Sequence, residues 1–343
     1  PAGTEGSLGQ FFAFQVLPTI IFFGSLMAVM YHLGVMQKIV QGMAWAMSKF
    51  LGTSGAESLS VTANIFVGQT EAPLVIRPFL NNMTMSELMA VMTGGMATIA
   101  GGVMAAYIQI LGDPYSVAMG VPLDVGRLLF AEQLLGASIM AAPAALLLAK
   151  MMIPEVDEPE TSGLAKIEVE KTSANIIDAA ASGASDGLKL SLNVGAMLLA
   201  FLALIAMLNY IIGYGSGLFG ASLTIEQILG WGLAPLAWTI GIPSEDIVKF
   251  GSLLGTKVIA NEFVAYLNLA ELIGEGALNP KTIVMATFAL CGFANLSSIA
   301  IQIGGIGPLA PERTSDLAKL GVRAVLAGTF ANLMTATIAG TLM

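Results

Sequence analysis

Residues 68–74 read Gly68-Gln69-Thr70-Glu71-Ala72-Pro73-Leu74, and residues 255–263 read Gly255-Thr256-Lys257-Val258-Ile259-Ala260-Asn261-Glu262-Phe263. Each polar cluster interrupts a moderately apolar segment, 58–80 in the first case and 243–270 in the second. Neither half of either segment can cross about 30 Å of hydrocarbon at 1.5 Å per residue. Irregular backbone at membrane depth is tolerated only where protein or a watery cavity satisfies it. Two re-entrant helical hairpins meet that constraint, each turning at its polar cluster. Pro73 suits the first turn of a returning half-helix, where a missing N–H is harmless.

Each hairpin is followed by a long apolar segment with a polar interruption at mid-span. The first interruption is Thr98-Ile99-Ala100-Gly101-Gly102; the second is Phe293-Ala294-Asn295-Leu296-Ser297-Ser298. Hairpin followed by broken helix therefore occurs twice, at about 55–111 and about 243–305. Paired broken segments of this kind point to a transporter binding site between two repeats. Six apolar stretches read as spanning helices: 12–35, 85–111, 128–153, 190–212, 282–303 and 317–342. Alternating them across the bilayer gathers Lys38, Lys49, Lys150, Lys166, Lys171, Lys189, Arg313, Lys319 and Arg323 on one side. Mainly Arg127, Lys249 and Lys281 remain on the other, so the first side is cytoplasmic. The two hairpins then enter from opposite faces, which makes the repeats inverted. Trp45 and Trp231 lie in short amphipathic stretches expected at the interface.

Composition agrees. Of 343 residues, 56% are hydrophobic and 11% charged, against roughly 25% charged in a soluble domain; mean hydropathy is +0.81. The chain reads as an all-α membrane protein with one transmembrane transporter domain over 1–343 and a last helix at about 317–342. Continuous apolar runs argue against a β-barrel, whose strands alternate. Much of the net charge of −9 falls in a cytoplasmic acidic loop, about 154–172, expected to be solvated. No basic patch suggests nucleic acid. Cys291, the single cysteine, excludes an intrachain disulfide and reads as a small residue packed in a helix. The start at Pro1, without initiator Met or signal peptide, suggests that an N-terminal portion is missing.

Glu71 and Glu262 are the most informative residues. A carboxylate near the bilayer centre costs on the order of 2.5–3.5 kcal/mol on insertion scales, so each is expected to face a cavity or a partner. For Glu262 the alternative is a buried ion pair with Lys257, five residues earlier. Asn64, Gln69 and Thr70 cluster around Glu71; Asn261 and Glu262 would face Asn295, Ser297 and Ser298. Amides, hydroxyls and two carboxylates with few cations suit a neutral, hydroxyl-rich solute, and Phe293 could stack on a flat ring. Asn64 and Thr98 offer side-chain oxygens, and Val67 and Ile99 carbonyls, to a sodium ion. These features leave sodium and proton coupling open, and a gated solute channel is the rival of a different class. No HExxH, nucleophile elbow or phosphate-cradling loop suggests an enzyme, and no cofactor is implied.

Gly68 to Leu74, and Gly255 to Tyr266 with its G-x-K-x-x-x-N-E-F-x-x-Y pattern, resemble signatures of the concentrative nucleoside transporters. So do the strings 54–61 (SGAESLSV) and 291–300 (CGFANLSSIA). The resemblance covers essentially the whole chain and implies the bacterial, sodium-coupled type. It implies a homotrimer in the bacterial inner membrane, importing a uridine-like nucleoside with elevator-type alternating access. By resemblance, Gln69, Thr70, Glu71 and Val103 contact the nucleobase, Glu262, Asn295 and Ser298 hold the ribose, and Phe293 lines the pocket. The sodium site maps to Asn64, Val67, Thr98 and Ile99, where family members often have Ser in place of Thr98. The family core usually has further helices before this segment.

Overall fold

The computed structural model describes residues 12–162, 173–218, 220 and 223–343, among which there is no strand. The described residues begin with α1 (Phe12–His32), which turns through 77° into α2 (Val35–Leu51). Gly34 makes the turn with φ at 80°, in the left-handed region that favours glycine. On α2, Trp45 is 45% exposed with the Lys49 ammonium 4.9 Å from its ring centroid, as suits a helix lying at the interface.

The first repeat starts at a capping box. Ser54 accepts from the Glu57 N–H and Glu57 from the Ser54 N–H, which opens α3 (Gly55–Ala63). The chain turns and returns through Ala72–Phe79, which is a 3-10 helix and not a second α-helical arm. Pro78 explains the difference: it lacks an N–H, and its ring would collide with the Leu74 carbonyl in an α-helix. The arm kinks at Ile76. A second capping box, Thr84 with Glu87, opens α4 (Met85–Ala97). Extended backbone at Thr98 and Ala100 breaks the span before it resumes as α5 (Gly101–Met119). From Ser86 to Ala97, α4 is buried on every side.

The return helix α6 (Leu123–Met152) leads to the acidic loop. Its described part is solvated at Val156, Asp157, Glu158 and Glu160, as expected, but it docks on the first hairpin through Thr161 and Glu155. The Thr161 carbonyl and hydroxyl accept from the Gly55 and Ala56 N–H groups, at 3.0 and 3.1 Å, and Lys150 bridges Glu57 and Glu155 at 2.8 and 2.9 Å. The positive end of α3, with its unpaired N–H groups, accounts for this docking. The rest of the loop, 163–172, lies outside the described residues. Beyond it come α7 (Ile176–Gly217) and α8 (Ile225–Thr239), the latter carrying Trp231 at 55% exposure. Then follow the second hairpin, α9 (Ile247–Ile259) and α10 (Glu262–Gly274), the broken pair α11 (Pro280–Leu290) and α12 (Leu296–Ile306), and α13 (Thr314–Thr341). Cys291 is buried at the end of α11, where the helix breaks, and not inside a helix.

The two repeats are inverted. The first hairpin opens at the end where Lys150 closes α6 and Arg313 donates to the Asn81 carbonyl at 3.0 Å. The second opens at the opposite end, where Asp246 accepts from the Asn279 N–H and Gly274 lies against Pro114 near the end of α5. Each hairpin builds its own apolar core. One core joins α5, α6, α9 and α10 through Leu111, Phe130, Phe250 and Tyr266; the other joins α3, α4, α12 and α13 through Leu59, Met92, Ile306 and Leu320. The breaks of both long helices lie at the seam between these cores. Beside the bundle, α1 and α7 pair through Gly24, Gly183 and Gly187. A Cβ at Gly187 would stand 2.8 Å from Ile21 Cα, so only small residues permit the approach.

Candidate substrate and cation site

Two asparagines build the seam. Asn261 Oδ1 accepts from the Val264 N–H at 2.9 Å and opens α10; Asn295 Oδ1 accepts from the Ser298 N–H at 2.9 Å and opens α12. Glu262 is therefore the first residue of α10, where the helix dipole favours a carboxylate. Its Oε1 accepts from the Tyr107 hydroxyl at 2.9 Å and its Oε2 from Asn295 Nδ2 at 3.1 Å. The residue is only 5% exposed.

The chain of bonds continues into the first repeat. Gln69 Nε2 donates to Ser298 Oγ at 3.3 Å, and Gln69 Oε1 accepts from Gln302 Nε2 at 3.1 Å. Gln302 also donates to the Met92 carbonyl at 3.0 Å. Gly95 makes room, since a Cβ there would stand 2.6 Å from Gln302 Nε2. Of the residues expected at the substrate, Gln69, Glu262, Asn295 and Ser298 are thus tied into one network. Val103 is buried on α5 one turn before Tyr107, Thr70 packs its methyl against Gly305, and Phe293 packs against the second hairpin's core. Glu71 stands apart: it is exposed, with its carboxylate folded over Gly68. Tyr107 and Gln302 were not expected from the sequence.

The first break has the character of a cation site. Asn64, 1% exposed, donates from Nδ2 to the Ser60 carbonyl at 3.2 Å while its Oδ1 has no hydrogen-bond partner. The Thr98 hydroxyl donates back to the Gly94 carbonyl at 2.9 Å, which leaves its oxygen free to accept. The Phe66 carbonyl accepts from the Gly101 N–H at 3.1 Å, so the hairpin turn abuts the break. An orphaned buried amide oxygen in the turn, with a hydroxyl at the adjoining break, is the kind of donor set that suits a hard cation of low charge.

Lys257 is bonded away from Glu262, so the ion pair considered as the alternative for Glu262 does not form. Its ammonium donates to the Ala289 carbonyl at 2.9 Å and to Asn332 Oδ1 at 2.8 Å. Asn332 Nδ2 in turn donates to the Ala97 and Cys291 carbonyls, both at 2.7 Å. One asparagine on α13 therefore ties together the ends of α4 and α11.

Inverted hairpins, broken helices and a buried polar seam define an inverted-repeat membrane transporter. The family model described as "Na+ dependent nucleoside transporter C-terminus" matches residues 133–340, and "Nucleoside recognition" matches 13–114. The chain is 50% identical over 331 residues to the transporter YutK of Bacillus subtilis, covering 96% of this chain and 77% of that one. It is 45% identical over 342 residues to the nucleoside permease NupC of Helicobacter pylori, covering 98% and 77%. The solved structure of CNTnw in an inward-facing substrate-bound state superposes with a TM-score of 0.86 at 50% identity, covering 98% of this chain and 76% of that one. The chain belongs to the concentrative nucleoside transporter family. It is an integral membrane transporter and not an enzyme.

Proposed function

We propose that this chain is a sodium-driven nucleoside symporter of a bacterial inner membrane, working by elevator-type alternating access as a homotrimer. The observation that carries the reading is the Glu262 carboxylate held between Tyr107 and Asn295 at the seam of the two repeats. Glu262 would accept from ribose hydroxyls, and Asn295 and Ser298 would complete the sugar's hydrogen bonds. Gln69, Thr70 and Glu71 would meet a base edge, with Val103 and Phe293 against its faces. A base carried on a hydroxyl-rich sugar satisfies such a lining better than an anion does.

Sodium at Asn64, Val67, Thr98 and Ile99 would order the turn that leads directly to Gln69. That shared segment supplies the coupling: whichever ligand binds first reduces what the other must order, and the effect is reciprocal. The family description as Na+ dependent supports this choice of ion. CNTnw, solved in inward-facing, outward-facing and intermediate states, supports alternating access. The domain that moves would be the hairpin bundle, sliding along the α1–α7 pair. The apolar side chains that α7 leaves uncovered, among them Leu199 at 77% and Tyr214 at 70% exposure, suit lipid and neighbouring protomers.

Uridine binding to the purified protein tests the site. Affinity should rise with sodium at constant ionic strength, and the sodium effect should vanish in Asn64→Ala. Uridine affinity that is unchanged in Glu262→Gln would contradict the ribose assignment.

A further inference from the structure

Lys257 is the one basic residue fully buried among the described residues, at 0% exposure, and symport as described above leaves it without a task. It lies on α9 just before the turn at Ala260, on the entering arm of the second hairpin. Asn64 lies at the end of α3, on the entering arm of the first. Lys257 meets the break of its repeat through the Ala289 carbonyl, and Asn64 precedes by two residues Phe66, whose carbonyl accepts from Gly101 at the first break. The first half-helix of each pair ends at its break with carbonyls that have no partner in the helix, at the negative end of the dipole. In the first repeat the orphaned Asn64 oxygen belongs to the turn two residues before that Phe66 contact. In the second, the Lys257 ammonium sits on the Ala289 carbonyl and the Asn332 amide oxygen.

We propose that the Lys257 ammonium is a tethered cation, filling in the second repeat the place that a free sodium ion takes in the first. The second repeat then takes up no free cation, and each uptake cycle carries one sodium. Asn332 connects the two places, because it accepts from Lys257 and donates to the carbonyl of Ala97, immediately before Thr98. Gly292 allows the two breaks to cross this closely: a Cβ there would stand 2.5 Å from Asn332 Oδ1 and 2.8 Å from the Ala97 carbonyl. Loss of the ammonium leaves the Ala289 carbonyl and the Asn332 amide oxygen without their shared donor, two oxygens that would hold a free cation.

The inference rests on the sodium reading of the first break, and its test separates the two. Lys257→Ala and Lys257→Gln are purified as full chains, and Tm and uridine binding are followed against sodium and against methylammonium, with choline holding ionic strength. The native chain should show a Hill coefficient for sodium of about 1 and no response to methylammonium. Lys257→Ala should gain Tm with methylammonium, and its sodium dependence should steepen toward a Hill coefficient of about 2. Lys257→Gln, a neutral donor, should not regain native behaviour. Native sodium dependence and Tm in Lys257→Gln would overturn the proposal, as would a Lys257→Ala chain that responds to neither cation. If Lys257→Ala folds only when methylammonium is present during extraction, the tethered-cation role stands; failure to fold with and without it counts against that role. Sodium-independent uridine binding by the native chain would sink the first-site reading alone, since the methylammonium response in Tm does not depend on it.

Discussion

The Tyr107 hydroxyl on α5 lies 2.9 Å from Oε1 of Glu262 on α10, so the broken helix of the first repeat holds the carboxylate of the second. The Tyr107 ring stays in place through its packing on Tyr266, 4.4 Å away between centroids, and on Phe263, 5.3 Å away. Removing the hydroxyl alone should therefore leave the fold intact and free the carboxylate to turn. A hydrogen bond to a charged group contributes about 1.5–3 kcal/mol. Tyr107→Phe should weaken uridine binding by about tenfold or more at unchanged Tm. Titration of uridine into the purified variant checks this, and an unchanged Kd would show that Tyr107 does not position Glu262.

Gln302 holds Gln69 by its amide nitrogen and is itself anchored to the Met92 carbonyl. Gln302→Leu should loosen Gln69 and shift the preference among nucleobases by about fivefold, the equivalent of one ordinary hydrogen bond. Competition of uridine uptake by adenosine and cytidine reads the shift. Because Glu262 is untouched, affinity for ribose-bearing ligands as a class should remain.

At the crossing of the two breaks, Gly292 has backbone carbonyls as neighbours and Gly304 has open space within 4 Å. Backbone atoms cannot step aside as a flexible side chain can. Gly292→Ala should lower stability by about 1–3 kcal/mol through overpacking, whereas Gly304→Ala should leave Tm unchanged or slightly raised. Thermal unfolding followed by size-exclusion chromatography distinguishes the two. Equal Tm values would mean that the breaks do not cross as closely as described.

The loop docked on the first hairpin depends on Lys150, which bridges Glu57 at 1% exposure and Glu155 at 23%. Lys150→Met leaves the Glu57 carboxylate buried beside an apolar side chain. The loss should be about 1–3 kcal/mol, below that of a fully buried pair because Lys150 itself is 22% exposed. Adding Glu57→Gln should restore much of the Tm, and the double-mutant cycle measures the coupling. Additive effects would show that the pair does not couple.

Much of the architecture was legible because polar groups are expensive in apolar sequence. Glu71 and Glu262 marked the hairpins, and the Thr98 and Asn295 regions marked the breaks that the structure shows as extended backbone between half-helices. Tyr107 and Gln302 were hidden for the opposite reason. Each lies in a largely apolar helix, where a tyrosine reads as packing and a glutamine as tolerated, and only the crossing of the repeats gives them these partners. The nearness of Lys257 to Glu262 in sequence makes an ion pair the alternative reading. The chain reverses between them at Ala260, so the lysine faces α11 while the carboxylate faces α5 and α12. Pro78 was a readable signal for the 3-10 arm, since it forbids the α-helical bond that Pro73 alone would allow. Docking of the acidic loop could not be read from its charge, because it depends on the unpaired N–H groups of a helix distant in sequence.

The most direct test of sodium-driven nucleoside symport is uphill uptake of radiolabelled uridine into proteoliposomes, with sodium or proton gradients imposed separately. An inward sodium gradient should concentrate uridine inside, reversal of that gradient should drive it out, and Asn64→Ala should abolish both. Accumulation driven equally well by a pH gradient in sodium-free buffer, or equilibration without accumulation under any gradient, would contradict the account.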